Sequence, residues 1–344
     1  MSHYTELLDG PYAHAARAIG DPECSLLPGG TPMHVPDGFL STWVALLMWV
    51  VAIVAVAYAL RRVSRELDER RVPLFGVLAA AIFAGQMLNF SVTGGTSGHL
   101  LGAAIACILV GPWAAVLAIT CVVGTQALLF QDGGLLALGA NIVNMALIGV
   151  SVSHAVYTSL RRLAGDKRWG TLVASFAAGW ASIVVASLAC ALELAVSGTS
   201  PANVAVPAMG GIHMLIGIGE GLITVGAVAL LYAARPDLMG ADKSKAVENK
   251  GILVGGLVLA IVLAVLSPLA SSHPDGLEWV AEQRGFLDFA RESPYRLIPD
   301  YAFPGVSNEA IATIAAGIVG LLIVFGIAMA VAASRRRRGS AQSL

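Results

Sequence analysis

The sequence predicts an all-α fold, a polytopic bundle of membrane-spanning helices, on three observations. Of its 344 residues 57% are hydrophobic and only 12% charged, with a mean hydropathy of +0.77, which is too apolar for a water-soluble domain of this size. Several apolar runs reach the roughly 20 residues that a helix needs to cross a bilayer. Lys and Arg gather in short clusters between those runs instead of covering one face, a pattern that reports topology and argues against nucleic acid as a partner.

Seven spans are expected near residues 40–60, 73–92, 98–112, 113–130, 138–160, 171–197 and 209–233, and two more near 251–270 and 308–333. Between the third and fourth stands only Gly111-Pro112. Arg61, Arg62, Arg65, Arg70 and Arg71 follow the first span, Arg161, Arg162, Lys167 and Arg168 the fifth, and Lys243, Lys245 and Lys250 the seventh; Arg335 to Arg338 follow the last. If the spans alternate, every cluster falls on one side, and cytoplasmic loops hold the excess of positive charge. The expectation is a multi-pass protein of the cell membrane, N-terminus outside and C-terminus cytoplasmic.

Five segments result: a tail, 1–32; a seven-span domain, 33–234; a polar cytoplasmic linker, 235–250; a two-span domain, 251–335, whose outer loop is long; and a basic cytoplasmic tail, 336–344. The first 32 residues contain no 7–15-residue apolar core, so they do not read as a secretory signal; Glu6, Asp9, Asp21 and Glu23 outnumber Arg17 there.

Cys24, Cys107, Cys121 and Cys190 show no C-x-x-C spacing, and three of them lie in apolar runs, which points to packing and to neither a disulfide framework nor a zinc site. Polar groups at membrane depth are costly, so those at outer helix ends are functional candidates. His34 precedes the first span, and His99 follows the Gly-rich turn Thr93-Gly94-Gly95-Thr96-Ser97-Gly98 on the same side of the membrane. Such a turn folds backbone inward at the bilayer edge. An N-terminal Met-His, as Met33-His34 would be, offers an α-amine, a deprotonated amide and an imidazole in fused chelate rings. A fourth nitrogen from a distant His completes a square plane, which suits Ni(II) or Cu(II) better than tetrahedral zinc and leaves Co(II) open.

His213 stands at the outer end of the seventh span, with Gly217 and Glu220 below it on one helix face. Glu220 is a partner for a cation or a polar network, or else a packing residue. Asn141 and Asn144, with Gln126, Gln86 and Asn89, are candidates for the outer-sphere bonds that orient metal-bound imidazoles, and helix packing is the alternative. His154 reads as a helix-end residue, and Ala52, Ala55, Ala57 and Ala59 permit close approach of another helix. No G-x-x-x-x-G-K-[ST] occurs, so ATP would have to be hydrolysed by partners. Two other classes stay open: an intramembrane serine protease using Ser97 of Gly95-Thr96-Ser97-Gly98 with His213 or His154, and a structural subunit that binds nothing.

MHVPDGFL at 33–40, GGTSGHLLGA at 94–103, QALLFQDGGLLALGANIVNMA at 126–146 and HMLIGIGEGLIT at 213–224 resemble the metal-capture component (CbiM/NikM) of energy-coupling-factor transporters for cobalt and nickel. HPDGLEWVAE at 273–282 and PDYAFPG at 299–305 resemble the small accessory subunit of those systems, here fused. The resemblance implies a transporter subunit, not an enzyme, working with a transmembrane coupling subunit and two cytoplasmic ATPases. It implies Ni2+ or Co2+ as transported substrate, no resident cofactor, and metal ligation by Met33, His34 and His99. In the family the Met is the mature N-terminus, whereas here Met33 follows Pro32. The expectation is that translation begins at Met33, with proteolytic exposure of Met33 as the second route.

Overall fold

A computed structural model of the chain describes residues 34–66, 72–165, 167–234 and 249–341. Met33, the preceding tail and most of the 235–250 linker lie outside the described residues. The elements run α1 (Thr42–Glu66), α2 (Val72–Gln86), β1 (Phe90–Val92), β2 (Thr96–Gly98), α3 (Ala103–Val110), α4 (Pro112–Phe130) and α5 (Leu138–Ala164). There follow α6 (Arg168–Ser197), α7 (Ala202–Ala234), α8 (Asn249–Leu266), a short α9 (Gly276–Arg284) and α10 (Glu309–Ala341). The chain is a polytopic helical membrane protein: α1, α4, α5, α6, α7 and α10 account for the 6 helices, among the described residues, long and apolar enough to cross a bilayer.

Where the sequence suggests spans two, three and eight, the helices are shorter. Val72–Gln86 and Leu253–Leu269 are apolar but under 18 residues, and α3 has only 8. At 1.5 Å per residue α3 is about 12 Å long, against roughly 30 Å of hydrocarbon. The physical reason is the hairpin before it. Residues 90–98 pair as Phe90↔Gly98, Ser91↔Ser97 and Val92↔Thr96, around a turn in which Gly94 and Gly95 take φ of 88° and 79°. The strands pair with each other, the Ser97 amide donates to the Pro274 carbonyl, and Thr96 and Ser97 are completely buried, which is the condition for non-helical chain at membrane depth. The Gln86 Nε2 amide closes the unit by donating to the Leu101 carbonyl at 3.0 Å.

The helices pack through small side chains. Ala79, Ala80, Ala84, Ala114, Ala115 and Ala118 have no exposed surface, so backbones approach closely where lipid offers no hydrophobic drive. α6 packs on α5 and α7, α1 on α4 and α5, and the C-terminal helices α8 and α10 flank α2. On α1, Ala52, Ala55 and Ala59 are buried against this chain's own helices, while Ala57 is exposed together with Leu46, Leu47, Val50, Ile53 and Val54. Three of the four alanines are thus covered from within.

Both helices around the 131–137 turn change their winding beside it: Gln126–Phe130 at the end of α4 and Ile142–Ile148 inside α5 are wound as π-helix. Such wide turns recur next to functional sites because they re-aim side chains. Here they flank Asp132, Asn141 and Asn144.

Candidate metal centre

The segment that carries His34 is fixed before any metal is considered. Asp37 accepts backbone N–H bonds from Leu135 (3.1 Å) and Ala137 (3.0 Å), and Asn141 pairs with Val35 twice, accepting from its amide and donating to its carbonyl, both at 3.1 Å. The Gly134 amide donates to the same Val35 carbonyl at 3.0 Å. Bonds to a charged acceptor are worth about 1.5–3 kcal/mol each. The Pro36-Asp37-Gly38 turn is therefore a clamp that ties the start of the described chain to the α4–α5 turn.

His34, 3% exposed, lies between two carboxyl-bearing loops. Its Nδ1 is 2.9 Å from Asp132 Oδ1, and the other oxygen of Asp132 accepts the Tyr301 hydroxyl at 2.6 Å. Its Nε2 is buried without a hydrogen-bond partner among the described residues. Burial opposes protonation, but the Asp132 charge and hydrogen bond outweigh it and hold the His34 pKa above its ordinary value. Asp132 in turn is raised by burial and drawn down further by His34, so its acid strength ends above that of a free carboxyl.

His99 follows β2 in the loop before α3. Its ring lies 5.6 Å from that of His34, centroid to centroid, and its Nδ1 is 3.7 Å from Asp275 Oδ2, an ion-pair distance too long for a hydrogen bond. Burial, reinforced by the charge of His34, pushes the His99 pKa down to about 3, so this imidazole is neutral and able to ligate. Asp275 is pushed up to about 8 by burial.

His34, His99, Asn141, Asn144, His213 and Asp275 all line one cavity of about 80 Å3, room for an ion and a few waters. His213 Nδ1–H donates to the Met209 carbonyl at 2.8 Å, which leaves Nε2 with its lone pair. Asn144 donates to Glu193 at 2.9 Å, and its carbonyl oxygen is buried without a partner among the described residues. Glu220 stands apart from the cavity. Its two oxygens accept the Leu101 and Gly102 amides at 2.7 and 3.1 Å, so it secures the backbone just after His99 and the open N-terminus of α3. Of the residues singled out in the sequence, His34, His99, Asn141, Asn144 and His213 line this cavity, whereas Glu220, Gln86, Gln126 and Asn89 do not; Asp132, Asp275 and Tyr301 were given no role. All three occur inside the motifs quoted above, between the long helices, where an acid or a Tyr carries no periodic signal.

The loop between α8 and α10 covers the site. The Ser97 amide and hydroxyl donate to the Pro274 and His273 carbonyls, both at 2.8 Å, so residues 273–275 lie against β2. Asp275 then caps α9 by accepting from the Glu278 amide at 2.9 Å. Gly276 is required by its neighbours: a Cβ there would stand 2.6 Å from Ile216 Cδ1 and 2.9 Å from His213 Cε1. HPDGLE is thus a docking segment: Pro274 and His273 bind β2, Asp275 caps, and Gly276 lets the loop close on His213. Gly276→Val is expected to lift it, raising amide exchange of Ser97 at least about tenfold by mass spectrometry; unchanged protection would contradict this packing. Ser97 is engaged with backbone carbonyls and has no imidazole on its hydroxyl among the described hydrogen bonds, which speaks against a protease.

A family model described as "Cobalt uptake substrate-specific transmembrane region" (CbiM) matches residues 34–238, and the PDGLE domain model matches 250–337. A putative fused nickel transport protein NikMN of Archaeoglobus fulgidus is 38% identical over 310 residues, covering 87% of this chain and 97% of that protein. The fused nickel transport protein NikMN of Rhodobacter capsulatus is 31% identical (86% and 96% covered), and the cobalt transport protein CbiM of Geobacter sulfurreducens 35% (76% and 76%). A solved structure of a transition metal transporter superposes with a TM-score of 0.55 at 32% identity, covering 61% of this chain and 97% of that one. The chain accordingly belongs to the CbiM family of cobalt and nickel transport membrane subunits, transporter components and not enzymes, and carries a PDGLE domain on the same polypeptide.

Proposed function

We propose that this chain captures Ni2+ or Co2+ at the outer face of the membrane for an energy-coupling-factor transporter. The observation that carries the reading is the meeting of His34 and His99, ring centroids 5.6 Å apart, at the wall of one polar cavity. The ligands are the Met33 amine, the His34 amide and imidazole, and the His99 imidazole, with Asp132 and Asp275 behind the two rings. A chelate that starts at the His34 amide closes its second ring only through Nδ1, the atom now facing Asp132. Loading therefore takes Nδ1 away from Asp132. ATP hydrolysis belongs to a coupling subunit and two cytoplasmic ATPases, in keeping with the missing P-loop. The N-terminus of the capture domain faces outward and the C-terminus the cytoplasm, with 33–234 and 251–335 as its two domains.

A metal ion must displace the proton from its imidazole. Because Asp132 raises the His34 pKa, that competition extends above the ordinary imidazole range, so affinity is expected to rise with pH through neutrality. Equilibrium dialysis of Ni(II) and Co(II) against purified protein beginning at Met33 tests both the function and the sign. Binding that is absent, or that weakens as pH rises from acid to neutral, would contradict the reading.

A further inference from the structure

Resting on the capture site above, we propose that Asn144 and His213 form an encounter site, which holds the incoming divalent cation through its coordinated waters before the chelate strips them. Both residues line the cavity that His34 and His99 share. Outside that capture pair, the side-chain N–H and O–H donors on the cavity wall are already engaged inside the fold. Asn141 Nδ2 donates to the Val35 carbonyl at 3.1 Å, Ser187 Oγ to the Val184 carbonyl at 2.8 Å, Asn144 Nδ2 to Glu193 at 2.9 Å, and His213 Nδ1 to the Met209 carbonyl at 2.8 Å. The acceptors of Asn144 and His213 are left open: Asn144 Oδ1 is buried without a partner, and His213 Nε2 carries a lone pair that meets no donor among the described hydrogen bonds.

An acceptor buried without a donor is costly, so a wall that satisfies its donors and leaves acceptors open suits a guest that brings donors of its own. An aquated Ni2+ or Co2+ is such a guest. Each coordinated water turns its O–H groups outward, and the charge of the ion makes them stronger donors. Contacts through water are nearly as favourable as direct ones, and the cavity of about 80 Å3 admits an ion with part of its water shell. Both acceptors are held in place: Glu193 keeps the Asn144 amide by its nitrogen, and the Met209 carbonyl fixes the His213 tautomer with Nε2 unprotonated. They stand on α5 and α7, apart from the segments that carry the chelate. Capture then has two steps, an encounter held by acceptors and an exchange of water for nitrogen at Met33, His34 and His99. The association rate is the encounter constant multiplied by the rate of water loss, so weakening the encounter slows capture and leaves the finished chelate as it was.

The test is stopped-flow mixing of Ni(II) with the whole two-domain chain beginning at Met33, followed by the visible band of the chelate. His213→Phe removes Nε2 from α7. Asn144→Leu made together with Glu193→Leu removes the acceptor on α5 without leaving a carboxyl unpaired. Each variant is expected to associate about tenfold more slowly, with equilibrium affinity within about threefold of the parent and release slowed to match. The band itself is expected not to move, because the donor atoms are the same. Mg2+, which keeps its waters when it binds, should slow Ni(II) association in the parent more than in either variant. Parental association rates in both variants, or Mg2+ acting on all three proteins alike, would overturn the proposal. A loss of affinity at an unchanged association rate would make the two residues supports of the finished chelate and overturn it as well. A parent that shows no band overturns the capture reading itself, and the encounter site with it.

Discussion

Replacing His99 with Ala in a chain that begins at Met33 is expected to reduce Ni(II) binding by more than about 100-fold. The bound compares two kinds of loss. Removing an outer-sphere partner costs about 10–100-fold, and the proposed site makes His99 a donor to the ion itself. Its ring is 5.6 Å from that of His34 and is neutral under physiological conditions, whereas His213, which lines the same cavity, has no ring contact with His34 among the described residues. Ser97→Ala, two residues earlier, is the matched control. That hydroxyl serves the accessory loop's carbonyls and faces no substrate, so binding is expected to stay within a few-fold. Equilibrium dialysis reads both. A serine variant that loses function beside a histidine variant that keeps it would instead favour hydrolytic chemistry.

The second large effect belongs to the amine of Met33. A chain beginning at Met33 and the same chain with that amine acetylated differ in one donor, and that donor closes the first of the two fused rings, which share the His34 amide. Losing a tethered donor forfeits effective concentration, and about 100-fold or more in affinity is the expected loss. The same logic applies to a chain in which the 1–32 tail remains attached, where Met33 follows Pro32 in a peptide bond. N-terminal sequencing of protein from its native membrane, set against the affinity of each form, joins the chemistry to the physiological state. Tight planar binding by an acetylated protein would remove Met33 from the ligand set.

Much of this arrangement is legible in the sequence, and the illegible part has a physical pattern. Long apolar runs announce α1, α4, α5, α6, α7 and α10, because a bilayer imposes length and composition together. The Gly-rich turn announces that His99 is folded inward. Composition does not reveal that residues 90–98 pair as strands and so shorten α3 to 8 residues, since this depends on hydrogen bonds between residues that are individually apolar or small. Glu220 reads from the sequence as a cation partner, a polar-network member or a packing residue; its partners are the Leu101 and Gly102 amides, a contact across more than a hundred positions of chain that no spacing encodes. Asp132, Asp275 and Tyr301 are of the same kind. Each sits in a short polar motif between helices, and its meaning arises only when the loop between α8 and α10 meets the α4–α5 turn and the hairpin.

Closure also gives the PDGLE domain a reason to be on this chain. Its loop touches the capture site along separate lines: Arg291 donates its amide to the Asp37 carbonyl at 2.7 Å, Phe286 meets Phe39 edge-on at 5.3 Å, Pro274 accepts from Ser97, and Tyr301 reaches Asp132.

Titration of Ni(II) into the Met33-started protein, followed by visible absorption, tests the central claim most directly. Four nitrogens in a plane around Ni(II) predict a band that grows to one ion per chain and then stops, and that is missing from both His34→Ala and His99→Ala. The same band, at the same stoichiometry, in either histidine variant would contradict capture by this pair.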